Sequence, residues 1–579
     1  MTSLDGLRFA SRAASSALIG ALALLLSGPS ASRADPALAR AQAVTAANGM
    51  VVAQEAIAAR VGAEILRKGG NAVDAAVAVG FTMAVTYPRA GNIGGGGFMI
   101  IHRANGDDMA IDYRETAPAA INRTSFLDAQ GNADPQKSRD SALAIGVPGT
   151  VAGLALAEQK YGSGRFTLAD LIEPAIALAR DGFPVADDTA DSLPKDGPRL
   201  ARWASSAQIF LKADGSTLAP GDTLLQADLA ATLQTIAKKG PRAFYEGPVA
   251  EKLSAAVRAA GGVMTVDDLK SYRATERAPV RGSYRGYDVV SMPPPSSGGI
   301  ALIEMLNILE GYNLAKTDEA QQLFLIVEAM KRAYADRAWF LGDPDVVKVP
   351  VARLISKKYA ADWRATINPE RATPASEIHP GAEAAPEGHN TTHFSVIDRF
   401  GNAVSNTYTI NFSYGVGLVA AGTGVLLNNE LDDFAAKADA PNAYGLVGYD
   451  ANAPGPGKRP LSSMTPTIVL KDGKPWLVTG SPGGSRIINT VLQILIDVID
   501  RKMDIASAVS APRVHNQWMP DCVFVESALP QELIAALQAR GDDVVVLQTP
   551  TSANSILVTS AGFIGAADPR TRGALAAGY

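Results

Sequence analysis

Thr391 is the residue of this sequence whose position most strongly suggests chemistry. It follows a Pro-, Ala-, Glu- and Gly-rich stretch over residues 374–390, in which we expect no regular structure. It precedes a strand pattern that turns at Gly401 and Asn402 and returns as a second strand. Cleavage of the bond between Asn390 and Thr391 would expose an α-amine, which titrates near about 7.7–8.0 and is a usable base for the adjacent hydroxyl. The pattern is typical of an N-terminal nucleophile, although an ordinary surface loop entering a hairpin looks the same.

Longer motifs along the chain favour the interpretation of Thr391 as an N-terminal nucleophile. In chain order they are Gly94-Gly95-Gly96-Gly97-Phe98, Asp112-Tyr113-Arg114-Glu115, Thr391-Thr392-His393-Phe394-Ser395-Val396, Lys458-Arg459-Pro460-Leu461-Ser462-Ser463-Met464 and Gly480-Ser481-Pro482-Gly483-Gly484-Ser485-Arg486. Together they resemble the γ-glutamyltranspeptidase (glutathione hydrolase) family of Ntn hydrolases. The resemblance extends from Val51 to Tyr579, which is nearly all of the chain after its leader.

Three residues near Thr391 in the predicted site would assist acyl transfer. By resemblance, Thr409 on the neighbouring strand hydrogen-bonds Thr391 and helps to orient it, whereas spacing alone favours an ordinary β-branched strand residue. Gly483 and Gly484 precede a helix expected near Ile487, so their backbone N–H groups are placed to converge on an oxyanion. A tight turn or a phosphate-binding loop is the alternative, and no Gly-Lys-Ser/Thr follows to support a nucleotide loop.

The substrate clamp is also assigned by resemblance. The matched positions are Arg114, Ser462 and Ser463 for an α-carboxylate, and Asn411, Glu430 and Asp433 for an α-ammonium group. A guanidinium forms bidentate hydrogen bonds with a carboxylate, and carboxylates suit a cation. The set therefore implies a zwitterionic α-amino acid end whose side chain points toward Thr391. Some relatives carry Gln where Glu430 stands, and Glu should tighten the contact with the ammonium group.

A loop and the histidines complete the candidate site. Residues 437–457 resemble the lid that some members of the family possess, with Tyr444 as its gate, although a slack loop is the alternative. The five histidines show no metal-ligand spacing, and no metal or organic cofactor is implied. His393, two residues beyond Thr391, is interpreted as structural rather than as a catalytic base.

The elements that must position these residues are helices in both halves and antiparallel strands. Helices are predicted over Glu55 to Lys68, Ala72 to Val85, Glu319 to Phe340 and Ile487 to Ile499, and the third of these is expected to bury one face. Strand pairs are predicted as Met99 to His102 with Met109 to Tyr113, Thr467 to Leu470 with Trp476 to Thr479, and Ile556 to Val558 with Phe563 to Ala566. This mixture permits an α+β fold. The family resemblance selects a four-layer αββα sandwich of the Ntn-hydrolase type.

Composition and the N-terminus indicate an exported globular protein. The 579 residues are 47% hydrophobic and 19% charged, and the net charge of −5 argues against a nucleic-acid partner. Residues 1–34 are typical of a secretory signal cleaved before Asp35, because the apolar run is shorter than the ~20 residues of a membrane span. We therefore expect a periplasmic or secreted protein with no membrane anchor. Cys522, the single cysteine, is expected to be a packed small hydrophobe.

The resemblance implies an enzyme that cleaves itself into two associated chains, residues 35–390 and 391–579. Thr391 would then form a γ-glutamyl ester from glutathione or another γ-glutamyl compound, which water, an amino acid or a peptide resolves. One alternative is a glutaryl-cephalosporin acylase of the same fold, which would not need Glu430 and Asp433. Another is an exported amino-acid or peptide binding protein, which would not need Thr391 and would remain a single chain.

Overall fold

The computed structural model describes residues 40–378, 391–547 and 551–579. The predicted signal over residues 1–34 and Asn390, on one side of the predicted cleavage, lie outside the described residues. Within these ranges, no helix combines the length and the apolar character that crossing a membrane needs.

Two seven-stranded antiparallel sheets form the centre of the molecule. We call the sheet that continues from Thr391 sheet I and the other one sheet II. In spatial order, sheet I consists of Leu575–Gly578, Gly49–Ala53, Thr392–Asp398, Ala403–Thr409, Gly96–His102, Asp108–Asp112 and Thr275–Arg277. In spatial order, sheet II consists of Ala43–Ala46, Gly562–Ala567, Asn554–Thr559, Lys474–Thr479, Thr467–Lys471, Tyr287–Ser291 and Val280–Tyr284.

Helices cover the outer faces of both sheets. Ala56–Arg67 and Ala72–Thr86 pack on sheet I, and Gly298–Glu310 and Ile505–Ser510 pack on sheet II. The other α-helices are Pro135–Ser138, Thr150–Tyr161, Leu168–Asp181, Asp187–Leu200, Ala204–Phe210, Ala227–Lys239, Arg242–Tyr245, Gly247–Ala259, Val266–Ser271, Glu319–Phe340, Val351–Leu354, Lys357–Arg364, Ala375–Ile378, Ile487–Ile499 and Gln531–Ala539. Short strands pair as Phe183–Pro184 with Thr223–Leu224, as Val419–Ala420 with Val425–Leu426, and as Val514–His515, Val523–Val525 and Val544–Val546.

Three apolar cores separate the four layers. One joins the helices to sheet I and includes the whole of Ala72–Thr86, which is buried at every position. A second lies between the two sheets, where Phe98 and Ile100 of sheet I meet Ile468 and Val478 of sheet II. The third joins sheet II to its own helices. Because apolar side chains point to both faces of each sheet, the sheets must be covered on both sides. The predicted αββα sandwich is confirmed.

Two local predictions were wrong. Helix Glu319–Phe340 has the predicted bounds, but it is buried around its whole circumference from Gln322 to Ala338 rather than on one face. Its Lys331 and Arg332 tolerate burial because both pair with Glu328. Residues 375–378 form one helical turn where irregular structure was expected, since a proline before a first turn does not obstruct it.

Candidate active site

Thr391 lies at the start of the third strand of sheet I, beside Thr409. The antiparallel register places Thr392 opposite Tyr408, so the next pair along the ladder is Thr391 with Thr409. Both threonines are buried. The hydroxyl of Thr409 accepts a hydrogen bond of 2.9 Å from the backbone N–H of Asn411, which leaves its own proton for donation. The sheet therefore presents two adjacent hydroxyl groups at one end.

One small cavity brings most of the predicted site together. Its lining includes the predicted residues Arg114, Thr391, Thr409, Asn411, Glu430, Asp433, Tyr444, Ser462, Ser463 and Gly484. Four residues to which the sequence analysis gave no role in the site also line it: Leu446, Met464, Ser485 and Ile487. These side chains come from both sides of position 390, so neither part of the chain forms the cavity alone.

Arg114 is the centre of the charge arrangement. Its guanidinium is fully buried and donates through Nη1 to Glu430 and through Nη2 to Asp433, while Nε donates to the carbonyl of Pro460 at 3.0 Å. Burial opposes its charge, but the two carboxylates outweigh burial and raise the pKa of Arg114. The sequence predicted these residues as one site but did not predict that they pair with one another.

The carboxyl groups outnumber the guanidinium that they face. Glu430 and Asp433 lie on a single 3₁₀ turn, and burial raises the pKa of both. The second oxygen of Glu430 and both oxygens of Glu115 have no hydrogen-bond partner among the described residues. Burial also raises the pKa of Glu115 to about 7, although Arg114 opposes that shift. Glu115 stood in a motif without an assigned role, and its place directly after Arg114 was the only signal for it.

The two serines are held as hydrogen-bond donors toward the cavity. The hydroxyl of Ser462 accepts a bond of 3.1 Å from the backbone N–H of Met464. The hydroxyl of Ser463 accepts a bond of 3.2 Å from Nη2 of Arg337, whose Nε donates to the hydroxyl of Ser297 at 3.0 Å. Because each hydroxyl has a single proton, an occupied acceptor side leaves that proton for a bound anion. Sequence reasoning missed Arg337, because it lies on the helix that was expected to bury only one face.

Tyr444 closes over the glycine loop. Its hydroxyl donates to Oδ1 of Asn411 at 2.6 Å, and its ring stacks on Phe412 with the centroids 5.1 Å apart. Gly484 has φ of +57°, and a Cβ at that position would collide with the Tyr444 ring. Glycine is therefore required at 484 by the backbone conformation and by the Tyr444 ring together. Gly483 (φ +124°) does not line the cavity.

The glycine loop leads into a helix as predicted. A 3₁₀ turn over Gly484–Arg486 continues directly into Ile487–Ile499, which is fully buried. The backbone N–H groups at the start of this helix lie at the positive end of its dipole. The loop therefore presents positive potential beside Thr391.

His393 has the properties of a structural residue. Its Nδ1 lies 2.8 Å from Oγ1 of Thr407, and its Nε2 lies 3.0 Å from Oγ of Ser395. Burial lowers the pKa of His393 to about 3, so the ring is neutral at physiological pH. Across the described ranges, no group of three or more His, Cys, Asp and Glu side chains is arranged to hold a metal ion.

Comparison with known proteins relates this chain to one family. The family model Gamma-glutamyltranspeptidase matches residues 58–578. Glutathione hydrolase proenzymes of Escherichia coli (strain K12) and Pseudomonas sp. (strain A14) are 52% and 48% identical, covering 93% of this chain in each case and 93% and 95% of the relatives. Cephalosporin acylase from Bacillus halodurans has a similar structure, with a TM-score of 0.82 at 27% identity over 94% of this chain and 98% of that chain. The match over nearly the whole length shows that the chain belongs to the gamma-glutamyltranspeptidase family.

Proposed function

We propose that this enzyme is a self-processed glutathione hydrolase and γ-glutamyltransferase whose nucleophile is the hydroxyl of Thr391. The observation that carries the proposal is one cavity that joins Thr391 to a buried guanidinium, two carboxylates and two donor hydroxyls. Relatives named glutathione hydrolase proenzymes support both the reaction and the processing. The proposed reaction needs only groups of the chain, its substrate and water.

Processing would cut the bond between Asn390 and Thr391. The hydroxyl of Thr391 attacks the carbonyl of Asn390, the peptide C–N bond breaks, and the new ester is hydrolysed by water. The products would be residues 35–390, once the leader is removed, and residues 391–579. In sheet I, strand Thr392–Asp398 pairs with Gly49–Ala53 from the first product. This pairing supports an enzyme of two chains that stay together.

The clamp would hold the α-amino acid end of a γ-glutamyl donor. Its α-carboxylate would bind Arg114 and the hydroxyls of Ser462 and Ser463. Its ammonium group would bind Glu430 and Asp433, with Asn411 as a third partner. In the structure, Arg114 pairs with these two carboxylates. A zwitterion would therefore replace the two internal ion pairs of Arg114 with two charge-matched contacts, one at the guanidinium and one at the carboxylates, so the buried charges would stay neutralised.

Acyl transfer would proceed in two steps. The α-amine of Thr391 takes the hydroxyl proton, the oxygen attacks the γ-carbonyl, and backbone N–H groups of Gly483 and Gly484 stabilise the oxyanion. The amide C–N bond breaks, the leaving amine receives the proton, and a γ-glutamyl ester remains on Thr391. Water then releases glutamate, or the amine of an amino acid or peptide takes the γ-glutamyl group. With the predicted leader, these steps would take place in the periplasm.

The decisive experiment is Thr391→Ala with intact-mass measurement. We expect the wild type to show two chains and the variant to show one unprocessed chain without detectable γ-glutamyl hydrolysis. The reason is that the substitution removes the oxygen that attacks in both reactions. Normal processing of the variant would refute the nucleophile assignment, and a wild type that remains a single chain would favour a binding protein.

A cephalosporin acylase is the second candidate, because of the structural similarity to the Bacillus halodurans enzyme. A glutaryl group lacks the α-ammonium group, so an acylase gains nothing from burying Glu430 and Asp433 beside the substrate. Both carboxylates line the cavity, which supports the γ-glutamyl donor. Hydrolysis of γ-glutamyl and glutaryl anilides should be compared, and preference for the glutaryl compound would reverse the order of the two candidates.

A further inference from the structure

The lid residue Tyr444 is held by its backbone as well as by its side chain. Its carbonyl accepts a hydrogen bond of 3.0 Å from Nε2 of Gln517, which lies over seventy residues further along the chain. Gln517 is 2% exposed. The same Nε2 also donates to the carbonyl of Met519 at 3.2 Å. The bond to Tyr444 restricts the movement of the loop, because breaking it leaves one buried amide hydrogen and the Tyr444 carbonyl without partners.

The amide of Gln517 is itself oriented by His515. The Nδ1 of His515 lies 2.7 Å from Nδ2 of Asn489, and its Nε2 lies 2.9 Å from Oε1 of Gln517. Since Nδ2 of Asn489 only donates, Nδ1 of His515 accepts and Nε2 carries the ring proton. Burial lowers the pKa of His515 to about 3, so the ring remains in this neutral form. The proton on Nε2 then requires the oxygen of Gln517 to face His515, which directs the NH₂ group at the lid.

This series of hydrogen bonds begins at the glycine loop. Asn489 is the third residue of helix Ile487–Ile499, which directly follows the turn at Gly484. The series Asn489, His515, Gln517 and the carbonyl of Tyr444 therefore connects the oxyanion side of the cavity with the lid above it. Every donor in this series has an acceptor, so its hydrogen bonds all run in one direction, from Asn489 to the carbonyl of Tyr444.

Residues 515–518 also contact the segment that precedes the predicted cleavage position. Trp518, the neighbour of Gln517, has φ of +69°, which is unusual for a bulky residue. Its Nε1 donates to the carbonyl of Ala375 at 3.0 Å, and its backbone N–H donates to Asn516 at 2.8 Å. Strain of this kind persists only where surrounding contacts maintain it, and it occurs preferentially at functional sites. Residues 515–518 therefore contact both the lid and the last described helical turn before Thr391.

We propose that Gln517 is a positioning residue that latches the lid closed over the acyl-enzyme, with Asn489 and His515 setting its orientation. The proposal rests on the function proposed above, because the latch would act by limiting the access of water to the γ-glutamyl ester. Gln517 does not line the cavity. Its effect should appear in lid opening and in the partition between hydrolysis and transfer rather than in processing.

Two substitutions test the latch. Gln517→Leu removes the donor to the carbonyl of Tyr444. Gln517→Glu keeps an acceptor for His515 but places a carboxylate oxygen against the carbonyl oxygen of Tyr444, which repels it. We expect hydrogen exchange in peptides covering residues 438–449 to rise roughly threefold to tenfold in both, which is the equivalent of one net hydrogen bond. We also expect the ratio of hydrolysis to transfer, at a fixed concentration of glycylglycine, to rise by at least about twofold.

A matched control distinguishes loss of the hydrogen bond to Tyr444 from a general loss of rigidity in this region. Gln493→Leu removes amide hydrogen bonds to Val514, the neighbour of His515, and to the carbonyl of Asn489, but it leaves the side chains of Asn489, His515 and Gln517 in place and does not reach the lid. We expect this variant to leave exchange in residues 438–449 unchanged. The proposal fails if both Gln517 variants exchange like the wild type, or if Gln493→Leu raises lid exchange equally. Wild-type processing and γ-glutamyl turnover are measured separately, so failure of the latch would leave the proposed function standing.

Discussion

At the residue scale, the site is defined by an excess of acid around one guanidinium. Glu115, Glu430 and Asp433 all lie near Arg114, which is fully buried. Buried carboxyl oxygens without donors are costly unless they are protonated or acquire a cation. An incoming ammonium group supplies the missing charge and the missing N–H donors. The site is therefore better matched to a zwitterion than to a simple anion.

Glu115 should make binding of the donor depend on pH. Because its pKa is raised to about 7, the carboxyl group ionises between pH 6 and 8 and adds a negative charge near the proposed ammonium subsite. We expect the inhibition constant of L-glutamate to fall roughly threefold to tenfold over this range, as a nearby opposite charge would produce. Glu115→Gln should show no such fall. A wild-type constant that is independent of pH would contradict the assignment.

The same shift of pKa has a consequence for stability. The folded-state pKa of Glu115 lies above its ordinary value of 4.5, so the folded protein binds this proton more tightly than the unfolded chain does. The resulting stabilisation is fully present below about pH 4.5 and is lost as the pH rises through about 7. As the pH rises through about 7, Glu115 is therefore expected to strengthen binding of the donor while its contribution to folding stability is lost.

At the scale of elements, the buried helix Ala72–Thr86 supports sheet I from outside. Asn71 and Asp74 cap its N-terminus reciprocally, and Nδ2 of Asn71 donates to the carbonyl of Tyr161 at 2.8 Å. A capping box satisfies backbone N–H groups that a buried helix start would otherwise leave without partners. This cap determines where the helix begins under the strands that carry Thr391 and Thr409.

Asn71→Ala should destabilise the protein without changing its chemistry. Loss of the cap is expected to lower the free energy of unfolding by about 1–2 kcal/mol, measured by urea denaturation. Asn71→Ser, which retains a capping oxygen, should lose less. Because the cap lies on the outer side of sheet I, kcat/KM for a γ-glutamyl anilide should stay within about twofold of wild type. Equal loss of stability in both variants would show that the bond to Tyr161 matters more than the cap.

At the scale of the whole molecule, the two predicted chains are interleaved rather than adjacent. Thr392–Asp398 and Ala403–Thr409 lie between Gly49–Ala53 and Gly96–His102, so hydrogen bonds cross from one product to the other on both sides. Sheet II also contains strands from both products. Separation would expose the apolar faces of both sheets.

The processed enzyme should therefore migrate as one species in size-exclusion chromatography, even in about 1 M salt, where exposed ion pairs are screened. The same material should give two bands under denaturing electrophoresis. Backbone pairing and apolar burial, which salt does not weaken, are the reason. Dissociation at high salt would show that surface charges hold the two chains together.

Local patterns in the sequence were sufficient to predict many of the helices and strands. Helix Ile487–Ile499 has the predicted bounds, and the Thr391 hairpin turns where Gly401 and Asn402 indicate. These elements follow from spacing and turn chemistry, which neighbouring residues determine. The environment of helix Glu319–Phe340 was not predictable in this way, because burial of its Lys331 depends on Asp542, more than two hundred residues further along the chain, as well as on Glu328 of the same helix.

The sequence alone determined the nature of the chemical groups: a threonine at a strand start, a glycine pair before a helix, and the charges of the clamp. Only the folded molecule established which of these groups meet. The pairing of Arg114 with Glu430 and Asp433, the contact of Arg337 with Ser463 and the hold of Gln517 on Tyr444 join positions separated by tens to hundreds of residues. Such contacts depend on how sheets and helices stack, and no local spacing encodes that geometry.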